Sequence, residues 1–170
     1  LIVLGQRTRF HFETQEGYDD TVRRVLKNSP RPVIAVPARL VMDSGGPGQT
    51  VLIAYDGSLQ AARALHAFQT SGLAGALPAI VVSVNPEHAE AARVAERAID
   101  YLRFHAIKAE ARVITSNEDP AGILLAQARE HKSTLIVMGG YGQPILREFF
   151  LGSVTRTLLA HSPVPLFLFH

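Results

Sequence analysis

Three glycines and a serine make up the stretch of this chain best suited to hold a charged ligand. Gly139, Gly142, Gly152 and Ser153 run as Gly, two residues, Gly, nine residues, Gly-Ser, beginning at Met138-Gly139-Gly140-Tyr141-Gly142. Gly139 closes an apolar run that reads as a strand, and Gly152-Ser153 opens a segment that reads as a helix. Glycine lets the main chain approach phosphate oxygens closely and tolerates positive φ. The unpaired N–H groups of a helix's first turn add donors and positive potential for an anion. The Ser153 hydroxyl is a further donor. The same residues would also serve a plain turn followed by an N-cap. There is no Walker P-loop, and no dinucleotide fingerprint follows the first strand of this region.

A second group stands at Ala54-Tyr55-Asp56-Gly57-Ser58, where another apolar run ends. Asp56 can accept from a base amine or a ribose hydroxyl, or it can close an Asx turn or cap the next helix. Ser58 reads as a cap. Val84, at the end of a further strand, can offer main-chain groups to a base edge, although apolar residues in such places usually belong to the core. Arg147 and Glu148 lie inside the glycine loop and read as a solvated face, with contact to a γ-phosphate as the other possibility. His11, His66, His88, His105, His131, His161 and His170 show no metal-binding spacing, and no Ser/His/Asp signature suggests nucleophilic catalysis.

These groups need elements to position them. Residues 50–55, 79–84, 111–115, 135–138 and 165–169 are short, nearly continuous apolar runs, as expected of strands covered on both faces. Between them, residues 58–70, 86–104, 119–131 and 153–161 carry helical periodicity, clearest in the stripe Ala91, Val94, Ala95, Ala98, Ile99 and Leu102. Asn85 could cap this second helix, and Pro86 suits its first turn. Strand and helix alternating in this way predict an α/β doubly wound fold with a five-stranded parallel sheet and helices on both faces. Ligands in such sheets sit at the carboxyl ends of strands, where both glycine-bearing segments fall.

Residues 1–36 repeat the chain's own end. Leu1-Ile2-Val3-Leu4-Gly5 parallels Leu135-Ile136-Val137-Met138-Gly139. Residues 23–36 (RRVLKNSPRPVIAV) parallel residues 156–169 (RTLLAHSPVPLFLF), with Ser-Pro-x-Pro in register. Such an echo implies duplicated strand–helix–strand structure. Residues 37–48, rich in glycine and proline, then form a linker to a complete domain at 49–170. The first copy has no strands ahead of Leu1 to pair with, so the piece is expected to be the tail of a longer tandem protein or to complete another molecule's sheet.

Composition narrows the function classes. With 47% hydrophobic and 19% charged residues the chain can bury a core. Its 17 basic and 15 acidic residues are dispersed, which argues against nucleic acid as the main partner. No run approaches the roughly 18 apolar residues of a membrane span, and the four at the start are too few for a signal-peptide core. The absence of cysteine suits a reducing cytoplasm. A soluble, cytoplasmic protein is expected.

On Gly139, Gly142, Gly152, Ser153, Asp56 and Val84, residues 49–170 resemble the universal stress protein family, and most specifically its ATP-binding members. The resemblance implies a strand order of 3-2-1-4-5 and phosphates on a loop carried here by Met138, Gly139, Gly140, Gly142, Gly152, Ser153 and Val154. It places the adenosine end at Ala54, Tyr55, Asp56, Ser58 and Val84; Ala54 stands where proline is frequent in the family. A regulatory or stress-response role that depends on ATP, with Mg²⁺ or Mn²⁺ through the phosphates, is expected. No base or arginine finger is visible, so hydrolysis is expected to be slow at most. A phosphate-transferring enzyme and a dimerisation module that binds no nucleotide are the alternative readings. Pairing of final strands, in a homodimer or within a tandem chain, is implied as well. In the first copy the motif has decayed, with Thr8 at the second glycine and Asp19-Asp20 at the Gly-Ser pair. That copy is expected to bind no nucleotide.

Overall fold

The computed structural model describes residues 1–6, 8, 21–40, 48–140 and 152–170. Among them the elements follow as β1 (Ile2–Gly5), α1 (Thr21–Asn28), β2 (Val33–Val36), β3 (Thr50–Ala54), α2 (Leu59–Thr70), β4 (Ala79–Asn85), α3 (His88–Phe104), β5 (Ala109–Thr115), α4 (Pro120–Glu130), β6 (Ser133–Gly139), α5 (Ser153–His161) and β7 (Leu166–Phe169). All the strands join one sheet in the order β1-β2-β7-β6-β3-β4-β5. The expected five-stranded, wholly parallel sheet is therefore corrected to seven strands, with one antiparallel pairing between β2 and β7. From Thr50 onward the neighbours run β5-β4-β3-β6-β7, and β1 and β2 extend that sheet beyond β7.

Side chains alternate across the sheet with the period of two that strands impose. Leu52, Ile136, Leu166 and Leu168 face α1, α4 and α5, where they meet Val22, Leu26, Leu124 and Leu158. Val51, Ile53, Val137 and Phe167 face α2 and α3, where they meet Leu65, Phe68, Ala98 and Leu102. Phe68 and Phe167 meet edge-on, with ring centres 5.6 Å apart and planes at 77°, a geometry aromatic quadrupoles favour. The α3 stripe is buried as expected at Ala91, Val94, Ala95, Ala98 and Leu102, with Ile99 half-buried beside it. Asn85 does not cap α3. Its Oδ1 accepts from the Glu87 N–H, and the helix begins at His88, two residues later than the proline suggested.

The sequence echo is also a hydrogen-bond echo. Ile2 N–H donates to Pro32 O as Ile136 N–H donates to Pro165 O, and Gln6 N–H donates to Val36 O as Gly140 N–H donates to Phe169 O. The Ser-Pro-x turn is reproduced in detail. Ser29 Oγ accepts from Arg31 N–H and donates to Arg31 O, and Ser162 Oγ does the same with Val164. The serine thus satisfies main-chain groups at a helix end that proline prevents from continuing. The two units β1-α1-β2 and β6-α5-β7 meet through the antiparallel pairing of Val33, Ile34 and Ala35 with Leu168, Phe167 and Leu166. The edge of β7 is consequently covered within one chain.

Helix α3 ends in a left-handed residue that is not glycine. Ala106 has φ 56°, and behind it Ile107 N–H donates to Leu102 O while its side chain is buried. A Cβ in this region is strained. Ala106→Gly is expected to stabilise the fold by about 0.5–1 kcal/mol in chemical denaturation; a loss of stability would contradict this account. The β2–β7 pairing gives a second expectation. A fragment lacking residues 1–40 uncovers the apolar edge Leu166–Phe169 and should self-associate through it. A fragment that stays monomeric in analytical ultracentrifugation would count against that role.

Candidate functional site

The chain leaves β3 for α2 on one face of the sheet and leaves β6 for α5 on the other. β3 and β6 are parallel neighbours, so a crevice opens between their carboxyl ends, the usual place for a ligand in an open α/β sheet. A cleft of about 300 Å³ lies there, at the lower end of the range for small-molecule sites.

One wall is the start of α5. Its N-cap is Gly152, which has no side chain to offer, and no acidic residue occupies the first turn. The opening N–H groups of Ser153, Val154 and Thr155 therefore have no capping side chain, and all three residues line the cleft. This is a donor set with positive potential, suited to an anion.

The opposite end is apolar and carries main-chain groups. Tyr55 N–H donates to Val82 O and Ser116 N–H donates to Asn85 O. Strand residues alternate in the direction of these groups, so the N–H and C=O of Val84 point toward β3. β3 ends at Ala54, and the Val84 groups consequently lie past the last bond of the β3–β4 ladder. They form a fixed donor–acceptor pair, flanked by Pro120 and Leu124 of α4 across the cleft.

Between the two ends stands the turn after β3. Asp56 Oδ1 accepts from Ser58 N–H at 2.9 Å, and Ser58 Oγ accepts from Ala61 N–H at 3.1 Å. Asp56 thus closes an Asx turn with one oxygen and keeps the other uncommitted, while Ser58 is the α2 cap. Gly57, at φ 78°, fits because a Cβ there would lie 3.1 Å from Val94 Cγ2. Burial pushes the Tyr55 phenol up, Arg97 draws it back down and Asp56 pushes it up again, so the phenol is protonated at neutral pH.

The family model described as "Universal stress protein family" matches residues 48–170. The chain belongs to the universal stress protein family. A universal stress protein of Synechocystis sp. is 24% identical over 174 residues, an alignment covering 99% of this chain and 57% of that protein. The chain therefore spans little more than half the length of that relative. A universal stress protein of Thermus aquaticus is 32% identical over 71% of this chain and 97% of its own length. Among solved structures, a universal stress protein in complex with cAMP superposes with a TM-score of 0.58 at 27% identity, covering 72% of this chain and 96% of that one.

The family fold brings together most of the residues singled out in the sequence. Ala54, Tyr55, Asp56, Ser58, Val84, Met138, Gly139, Gly152, Ser153 and Val154 all line the one cleft. Gly142, with Tyr141, Arg147 and Glu148, lies outside the described residues, as do His11, Asp19 and Asp20. Gly140 does not line the cleft; its N–H is taken by Phe169 O at 2.7 Å. Gly139 has a packing role. A Cβ there would fall 2.7 Å from Gln60 C and 2.8 Å from Ala61 N, so the glycine is what lets the first turn of α2 sit against the end of β6.

Sequence reasoning missed Gln60, Ala61, Val82, Pro120, Leu124 and Thr155, which also line the cleft. Pro120 and Leu124 come from a helix whose own strand, β5, is remote from the site, and no local motif marks them. Thr155 could have been found, since it lies on the first turn of the helix that Gly152 opens. Among the described residues no group of three His, Cys, Asp or Glu side chains could hold a metal ion, and no helix is long and apolar enough to cross a membrane. His66 and His88 instead bond Tyr101 Oη and Thr115 Oγ1.

The Gly139 contact yields a direct test. Gly139→Ala should cost about 1–3 kcal/mol in denaturant unfolding, because the methyl group meets main-chain atoms that cannot swing aside. An unchanged midpoint would show that α2 is free to retreat.

Proposed function

We propose that this universal stress protein binds ATP in the cleft and acts as a nucleotide-dependent regulatory or stress-response module. The observation that carries the reading is the pairing, across one crevice, of an uncapped helix N-terminus with a main-chain donor–acceptor pair at Val84. The first suits phosphate, and the second suits a base edge that presents one acceptor and one donor, as adenine does. The uncommitted Asp56 oxygen lies between them and suits a ribose hydroxyl. The cAMP complex of a relative supports the nucleotide class.

Mg²⁺ or Mn²⁺ would accompany the phosphates. The described residues fit an ion carried by the nucleotide, with the Ser153 hydroxyl within the cleft, and not an ion held by a protein carboxylate cage. The ion would supply charge neutralisation to the polyphosphate; Ser153, Val154 and Thr155 would orient it through their N–H groups.

The architecture supports a tandem reading. Residues 1–36 form the tail of a degenerate first domain, residues 37–48 a linker, and residues 49–170 the complete domain. On this reading the final strands of the two domains pair as β2 and β7, which makes intramolecular pairing a better description than a homodimer through β7. The module needs neither nucleic acid nor a membrane as partner, and a cytoplasmic location fits it.

Calorimetric titration with ATP and Mg²⁺ should show one site per chain, the first copy contributing none. Gly152→Val should weaken ATP at least tenfold while the circular dichroism spectrum is unchanged, since a β-branched side chain would stand where the phosphates approach. Unaltered affinity in the folded variant, or two sites per chain, would refute the assignment.

A further inference from the structure

We propose that Gln60 contacts the phosphate chain of the bound nucleotide and so sets how affinity changes with the number of phosphates. The inference rests on the nucleotide reading above and deepens it. Gln60 is the second residue of α2, is half-buried, and lines the same cleft as Gly152 and Ser153. A Cβ built on Gly139 would lie 2.9 Å from Gln60 Cβ. The Gln60 side chain therefore starts beside the point where the chain leaves β6 for the glycine loop, which is the phosphate end of the cleft.

The neighbours of Gln60 are occupied. Asp56 Oδ1 holds Ser58 N–H, and Ser58 Oγ holds Ala61 N–H. The Gln60 carboxamide bonds no other described residue, so both its NH₂ group and its carbonyl are available. The NH₂ group can donate to a phosphate oxygen from the wall opposite α5. Among the described lining residues Asp56 is the single charged side chain, and there is no cation. Phosphate charge is thus met on the described walls by dipoles and neutral donors, which a full charge at position 60 would outweigh. A side chain that touches only the base or ribose would not respond to phosphate number.

The test is titration of adenosine, AMP and ATP into the folded chain and into Gln60→Glu and Gln60→Lys. The Glu variant should weaken ATP about tenfold and AMP by less, and the Lys variant should strengthen ATP by a similar factor; raised salt should shrink both effects. Adenosine should change less than twofold in each. Thermal stability provides the control. A carboxylate in the first turn of α2 favours the helix and an ammonium opposes it, so melting temperature should move opposite to ATP affinity. If the wild-type protein binds ATP but the three ligands shift equally or not at all, Gln60 has no such role while the nucleotide reading stands. If the wild-type protein binds none of them, both readings fail.

Discussion

The width of the cleft depends on one close approach, that of the first turn of α2 to the end of β6. Main-chain atoms of Gln60 and Ala61 lie within 2.8 Å of where a Gly139 Cβ would be, so any side chain there would push helix and strand apart. The same residue is the last of β6, from which the chain departs toward α5 on the other face. One missing methyl group thus keeps α2 against the sheet and leaves α5 to begin across the crevice with its amides uncapped. The glycine that the sequence suggests as a phosphate contact has a packing role in this geometry.

The second organising contact is the antiparallel pairing of β2 with β7. Leu166, Phe167 and Leu168 are fully buried, which an edge strand could not achieve on its own. Their burial comes from helices on both faces and from a strand of the repeated unit along the edge. Because Gly140 N–H donates to Phe169 O, the start of the glycine loop is tied to the strand that carries this pairing. The equivalent bond from Gln6 to Val36 shows the same tie in the other unit.

Main-chain groups and neutral side chains dominate the described lining of the cleft. Such a lining places dipoles with little rotamer freedom to lose on the described walls. The arrangement also avoids burying a charge. Asp56, the charged member of the described lining, is exposed and already holds the turn through one oxygen. Residues that shape the site therefore do so through where their elements begin and end, and few of them contribute specialised side-chain chemistry.

By itself the sequence determined the local features. The strand and helix periods, the Ser58 cap, the Ser-Pro-x turns and the glycine-serine helix start are written in short-range steric and hydrogen-bonding preferences, and each appears where its residues stand. The internal echo was legible for the same reason, since two like segments make the same local bonds. What only the tertiary structure decided was how distant pieces meet. Strands β1 and β2 could have stood apart, yet they extend the sheet to seven because the free edge of β7 offers unpaired main-chain groups and an apolar surface. Pro120 and Leu124 enter the cleft because a parallel sheet carries α4 back across its face, and the proximity of Gln60 to Gly139 appears only once α2 has packed. Local bonding is encoded by neighbours in the chain, whereas a wall built from several helices exists only after burial of the shared core has fixed their relative positions.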